Sequence, residues 1–161
     1  MADFQDRLKK AIERGSKRRD AKAQEARAQA LSEEELKRLH SKYRLQISEA
    51  IEQCVGQLPS HFPGFQFETI YGDRGWGAAC SRDDIRLQRG RRDNDFSRLE
   101  VVIRPMSTYH VLDLAAKGTI RNKEVFSRNY YEKLDEVDVD EFLRLVDVWV
   151  LEYAEIYAAQ N

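Results

Sequence analysis

The apolar positions of this chain change their period twice, and the changes divide it into segments. Over residues 7–30 large apolar side chains almost vanish after Ile12, and Ala21, Ala23, Ala26, Ala28 and Ala30 alternate with Lys, Arg, Gln and Glu. These residues favour helix. They offer no stripe for burial, so a helix here is either solvated or held by whatever it binds. Gly15-Ser16 marks a weak point in it. Phe4, Leu8, Ala11 and Ile12 form a small apolar patch near its start, suited to docking on the body or on a second copy.

A helical stripe then appears. Ser32 with Glu35 has the form of a capping box, and Leu31 with Leu36 that of a hydrophobic staple, which predicts a new helix from Glu33. Leu36, Leu39, Tyr43, Ile47, Ile51, Cys54 and Leu58 recur at steps of three and four, giving one core-facing side. Gly56, Pro59 and Pro63-Gly64 end the helix.

From Phe65 the period becomes two. Phe65, Phe67, Thr69 and Tyr71 alternate with Gln66, Glu68 and Ile70, as in a half-buried strand. Gly72-Asp73-Arg74-Gly75 reads as a turn and residues 76–80 as a second strand, broken or bulged at 81–84 before Ile85 and Leu87 continue. Residues 90–95 read as a polar connection. Leu99, Val101 and Ile103 point inward on the next strand, which Pro105 closes. Residues 109–120 and 125–131 predict a final hairpin, turning at Arg121-Asn122-Lys123 or at Lys117-Gly118. Asp138 and Glu141 open the last helix as a cap with an acid three residues on. Phe142, Val146, Trp149, Tyr153 and Ile156 make one stripe on it, and Leu143, Val150, Ala154 and Tyr157 an adjacent one, so part of this broad apolar face is open to a partner.

Helix, antiparallel meander, helix is an α+β order. It predicts a sheet of about four or five strands with an N-terminal and a C-terminal helix on one face and a charged second face exposed. A charged helical arm precedes it. The expected organisation is a basic, Ala-rich arm over residues 1–31, helical or partly disordered, and a single α+β domain over 32–161.

Composition adds limits. With 42% hydrophobic residues the chain is not disordered throughout, although its 34% charged residues exceed the usual fraction of about 25%. No apolar run approaches the roughly 18 residues of a membrane span, and the first residues lack a signal-peptide core, so the expected location is cytoplasmic. In that setting Cys54 and Cys80 read as two reduced, buried thiols in preference to one disulfide. The formal net charge of −1 hides an asymmetry: residues 1–31 carry nine Lys/Arg against five Asp/Glu, whereas residues 131–161 carry two against nine.

The arm is the strongest functional pointer. Arg7, Lys9, Lys10, Arg14, Lys17, Arg18, Arg19 and Lys22 are opposed in their stretch only by Glu13 and Asp20. Clustered cations of this kind attract phosphate backbones through counterion release. No aromatic side chain is interleaved for base stacking, and a solvated helix has the same composition. Arg89, Arg91 and Arg92 add a second basic group at one sheet end, beside a mixed-charge outer face of Arg86, Gln88, Arg98, Glu100 and Arg104.

Catalytic chemistry is poorly represented. The Gly-rich stretch 72–77 lacks the Lys-Ser/Thr of a phosphate loop and reads as a hairpin turn followed by a close approach, with Trp76 as a candidate groove residue. A thiolate at Cys80 needs a basic neighbour, for which His110 is the sole candidate on the sheet. His40, His61 and His110 and the acidic run 135–141 lack ligand spacing, so neither metal nor cofactor is expected. The favoured reading is a small interaction or adaptor-type protein that binds a protein partner or itself, as a homodimer, through the arm and the terminal helix. The alternative is an RNA- or ribosome-associated module using the basic arm. An enzyme is the least favoured class.

Overall fold

The computed structural model describes residues 2–88 and 90–160, with side chains at all of these except 2, 28–31, 86, 88, 91 and 92. The elements in order are α1 (Ala2–Val55), a one-turn α2 (Leu58–His61), β1 (Gln66–Ile70), β2 (Trp76–Gln88), β3 (Arg91–Ile103), β4 (Val111–Ile120), β5 (Lys123–Lys133), a 3-10 turn at Leu134–Glu136, and α3 (Val139–Gln160). Strand order in the sheet equals chain order, and every neighbouring pair is antiparallel. This is the α+β arrangement that the periodicity predicts. The chain divides into two compact units, residues 1–38 and 39–161.

In the first unit the helix shows neither of its two expected interruptions. α1 runs unbroken through Gly15-Ser16 and through Ser32, where a new start was predicted. A glycine costs a helix interior about 1 kcal/mol and a serine less, whereas the surrounding Ala, Gln, Glu, Lys and Arg cost little. A cap also requires the preceding chain to leave the helix, and residues 21–31 contain no Gly or Pro to force it out. The Leu31 half of the predicted staple lies outside the described side chains.

In the second unit the register places Trp76, Ala78 and Cys80 opposite Ile103, Val101 and Leu99, and those opposite Leu114, Ala116 and Gly118. Facing strands share side-chain direction, so these residues line one face. Leu99, Val101 and Ile103 are fully buried there, as the alternation requires. The two helices cover that face: α3 buries Phe142, Val146, Trp149, Tyr153 and Tyr157, and α1 buries Ile47, Ile51 and Val55. Each such side chain contributes about 1.5–3 kcal/mol of burial energy. Tyr153 Oη donates to the Thr119 carbonyl at 2.9 Å, fixing α3 against β4. Gly118 makes this possible, since a Cβ there would lie 2.9 Å from the rings of both Phe126 and Tyr153.

α3 begins as predicted at its cap but not at its third residue. Asp138 Oδ1 accepts the Asp140 N–H at 3.2 Å. The Asp138 N–H is satisfied by Glu132 Oε1 at 2.7 Å, from β5, while Glu141 instead pairs with Arg144 at 2.6 Å. The guanidinium one turn on is a charge-assisted donor and outcompetes a backbone amide.

The largest departure is in the middle of the sheet. Pairing of β2 with β3 runs without a break from Trp76↔Ile103 to Gln88↔Arg91. Residues 81–84 are therefore not a bulge, and 91–95 are not a loop. β1 pairs only as far as Ser81 and β4 only as far as Arg98, so residues 82–97 form a two-stranded ribbon beyond the body of the sheet. A ribbon needs no buried face, which is why its polar sequence resembled a connection. Arg82 Nε ties Asp84 at 2.7 Å, and Arg82 Nη1 ties the Pro63 carbonyl at 2.9 Å. Gly90, at φ +75°, supplies the left-handed residue of a tight hairpin loop. The last hairpin turns at Arg121-Asn122, with φ +47° and +69°, while Lys117-Gly118 lies inside β4 next to a bulge.

Candidate interaction surfaces

Every described side chain over residues 3–27 is exposed, including the eight cations Arg7, Lys9, Lys10, Arg14, Lys17, Arg18, Arg19 and Lys22. At roughly 100° per residue six of these cations, Arg7, Lys10, Arg14, Lys17, Arg18 and Lys22, fall within about 140° of one side of the helix, with Lys9 and Arg19 outside it. Apolar residues share an adjoining side: Phe4, Leu8 and Ile12 fall one turn apart, and they are 61%, 48% and 61% exposed. Solvating such a stripe is unfavourable, and it is the most unusual feature of the arm.

The second predicted basic group is only partly described. Arg89 lies outside the described residues, and Arg91 and Arg92 open β3 with their backbones paired to Gln88 and Leu87. Nearby, Ile85 and Leu87 are exposed on the ribbon.

The outer sheet face is charged, as read from the sequence, and several of its described charges pair within it. Arg98 bridges Glu68 at 2.7 Å and Glu100 at 3.3 Å, and Glu100 also meets Arg74 at 3.1 Å. Arg104 pairs with Asp113 at 3.6 Å. Beneath these lies a small apolar cluster of Ile70, Ala79, Val102 and Ala115, shielded by the aliphatic stems of its charged neighbours. These ion pairs stabilise the sheet.

Trp76 is covered. His40 meets it edge-on at 6.1 Å between centroids, and the Arg44 guanidinium stacks 4.1 Å from its ring centre. His40 Nε2 lies 3.2 Å from the Arg104 carbonyl, to which it donates. Burial holds this imidazole below its ordinary pKa, with the Arg44 charge adding to the effect and the hydrogen bond opposing it.

Cys80 is not a nucleophile in this arrangement. It is fully buried, and burial pushes its thiol up to about 11. Across the sheet its row passes through Leu99 to Gly118. His110 lies eight residues from Gly118 along the chain, roughly 26 Å in extended backbone. Both cysteines are free thiols. Among the described residues no group of three or more His, Cys, Asp or Glu is placed to hold a metal ion, and no helix is long and apolar enough to cross a membrane.

One concavity was visible in the sequence only as a surplus of apolar residues on the last helix. The end of α1, α2 and α3 enclose a cavity of about 500 Å3, lined by Cys54, Leu58, Phe62, Val150, Leu151 and Ala154, with Gln57, His61 and Asp147 as its polar members. Leu151 is 67% exposed at the rim. Cys54 Sγ donates to Asp147 Oδ1 at 3.2 Å, joining the two helices across the floor. Burial, then the hydrogen bond and negative charge of Asp147, push the Cys54 thiol up to about 11. The two-stripe pattern of residues 142–157 was its only sequence signal, and its partner wall on α1 was not legible. A second depression of about 460 Å3, near exposed Tyr109 and Tyr131, lies on the β4–β5 edge.

No protein family, no curated protein and no solved structure matches the chain.

Proposed function

We propose that this is a non-enzymatic interaction protein that engages a protein partner through its N-terminal helix. One observation carries the reading: a 54-residue helix that leaves Phe4, Leu8 and Ile12 exposed on one side. Amphipathic helices that dock in grooves use anchors at this spacing. The free side chains of such anchors are costly in water, and covering them drives association. A nucleic-acid module using the basic side of the arm is the second reading, and it is less favoured because no aromatic side chain is interleaved with those cations for base stacking.

The test is co-purification of the tagged full-length chain and its Leu8→Asp variant, each with and without nuclease. Proteins retained after nuclease by the wild type and lost by the variant support the proposal. Retention that vanishes with nuclease, or that ignores the Leu8 substitution, refutes it in favour of the basic arm acting on nucleic acid or of no arm function.

A further inference from the structure

We infer that the arm's occupied site is the α1–α3 groove of a second copy of this chain, so that the protein self-associates by helix-in-groove docking. This rests on the reading of the arm as a protein-binding helix and names its partner.

Length, polarity and charge agree. From Phe4 to Ile12 the stripe covers about 12 Å at 1.5 Å per residue, and the α3 wall of the groove, from Asp147 to Ala154, covers about 10.5 Å. The stripe is aliphatic and aromatic, and the groove offers Leu58, Phe62, Leu151 and Ala154 to it. Arg7 and Lys9 lie about 100° to either side of Leu8, so cations flank the stripe on both edges. α3 carries Asp140, Glu141, Asp147, Glu152 and Glu155 against Arg144 alone, and the docking segment 4–12 carries Arg7, Lys9 and Lys10 against Asp6, a net +2. Glu141 and Glu152 are already paired, with Arg144 and Arg128, and one oxygen of Asp147 accepts the neutral Cys54 thiol, so the carboxylates of Asp140 and Glu155 and the charge of Asp147 meet the arm. Stripe and groove are complementary surfaces on the same chain, and a second copy supplies both at equal concentration. A two-fold arrangement then makes the contact twice, once in each direction.

Complementation by light scattering tests this on the full-length chain across a concentration series. Wild type is expected at twice the monomer mass, with an association that weakens as salt rises. Leu8→Asp removes the stripe, and Leu151→Arg puts a cation at the groove rim. Each alone is expected to weaken the dimer by about tenfold or more. Mixed in equal amounts, they are expected to regain a heterodimer, because the intact arm of one meets the intact groove of the other. Ala154→Trp, which fills the floor, is expected to act like Leu151→Arg and to be rescued in the same way. Leu8 and Leu151 are exposed, so these variants retain the fold, and unchanged helical circular dichroism checks that.

A monomeric wild type at every concentration overturns the inference. So does a dimer that survives both groove substitutions and is lost only with Leu8→Asp, since that outcome identifies arm-to-arm pairing. If wild type is monomeric but Leu8→Asp still abolishes capture of a different protein, the self-docking inference fails and the broader reading of the arm stands. If capture is also unaffected, both fail.

Discussion

Asn122 is a small polar residue in a turn, yet the structure makes it the fastener of the long hairpin. Its Oδ1 accepts the Phe96 N–H at 3.0 Å, its Nδ2 donates to the Asn94 carbonyl at 2.9 Å, and its own N–H donates to the Phe96 carbonyl at 2.8 Å. These bonds hold β3 just where β4 has stopped pairing with it. The residue sits at φ +69°, a conformation that Asn tolerates and Ala resists. Asn122→Ala removes two side-chain hydrogen bonds worth about 0.5–1.5 kcal/mol each. The left-handed backbone adds about 1–2 kcal/mol for a residue with a Cβ. The expected loss is therefore about 2–5 kcal/mol, from a total of about 5–15 kcal/mol for a domain. Asn122→Gly loses the same bonds but not the backbone preference, and is expected to fall about 1 kcal/mol short of the alanine loss. Asn122→Asp keeps the acceptor and forfeits the donor, so it lies between wild type and alanine. Urea unfolding at constant pH, read as the change in midpoint at an unchanged slope, measures all three. Alanine and glycine variants both within about 0.5 kcal/mol of wild type, the range of an ordinary surface change, would refute the fastener argument.

Other expectations follow from single contacts. Gly118→Ala places a methyl group against the rings of Phe126 and Tyr153 and is expected to cost about 1–3 kcal/mol in the same assay; a neutral result would show that α3 moves freely off β4. His40 is held below 6.5 in the folded state, so as pH falls the unfolded chain takes up the proton first. Its contribution is fully present above 6.5 and is lost as pH drops through the lower folded value. The midpoint of wild type should accordingly fall more steeply below that pH than that of His40→Gln, and parallel curves would contradict the assignment. With both thiols raised from 9.0 to about 11, Cys54 and Cys80 should react with a disulfide reagent near pH 8 roughly a hundredfold more slowly than a free cysteine, and at ordinary rates in denaturant. Fast labelling of Cys80 in the folded protein would mean that the sheet core opens readily.

Local pattern was a good guide over the second half of α1, β3 and α3, but not over β1, where Phe67 and Tyr71 are exposed and Ile70 is the buried residue. Ile47 and Ile51, Leu99 to Ile103, and Phe142 to Tyr153 are buried as their spacing requires. It failed where two local signals competed or where no burial was involved. Ser32 carries a cap signature, but helix propensity on both sides is stronger than one cap. Residues 81–95 have turn-like polarity, but a two-stranded ribbon most of whose described side chains are exposed or half-exposed tolerates that composition. Val102 alternates with the inward positions Val101 and Ile103 and is nonetheless buried, because Ile70, Ala79 and Ala115 gather beside it on the second face. The groove was half visible: α3 showed more apolar surface than a sheet needs, while its opposite wall comes from residues nearly a hundred positions earlier.

By itself, then, the amino-acid sequence determined the α+β class, the helix-covered face of the sheet, the burial of Cys80 (Cys54, expected to be buried too, is only half-buried at the cavity) and the polarity of a basic arm against an acidic last helix. These depend on periodicity and charge, which are properties of neighbours along the chain. Tertiary structure alone decided that α1 is one helix, that the central hairpin outgrows the sheet, that several outer charges pair across strands and that a groove opens between α1 and α3. Each of those depends on which distant residues meet, and the energy of a contact is not written in either partner separately.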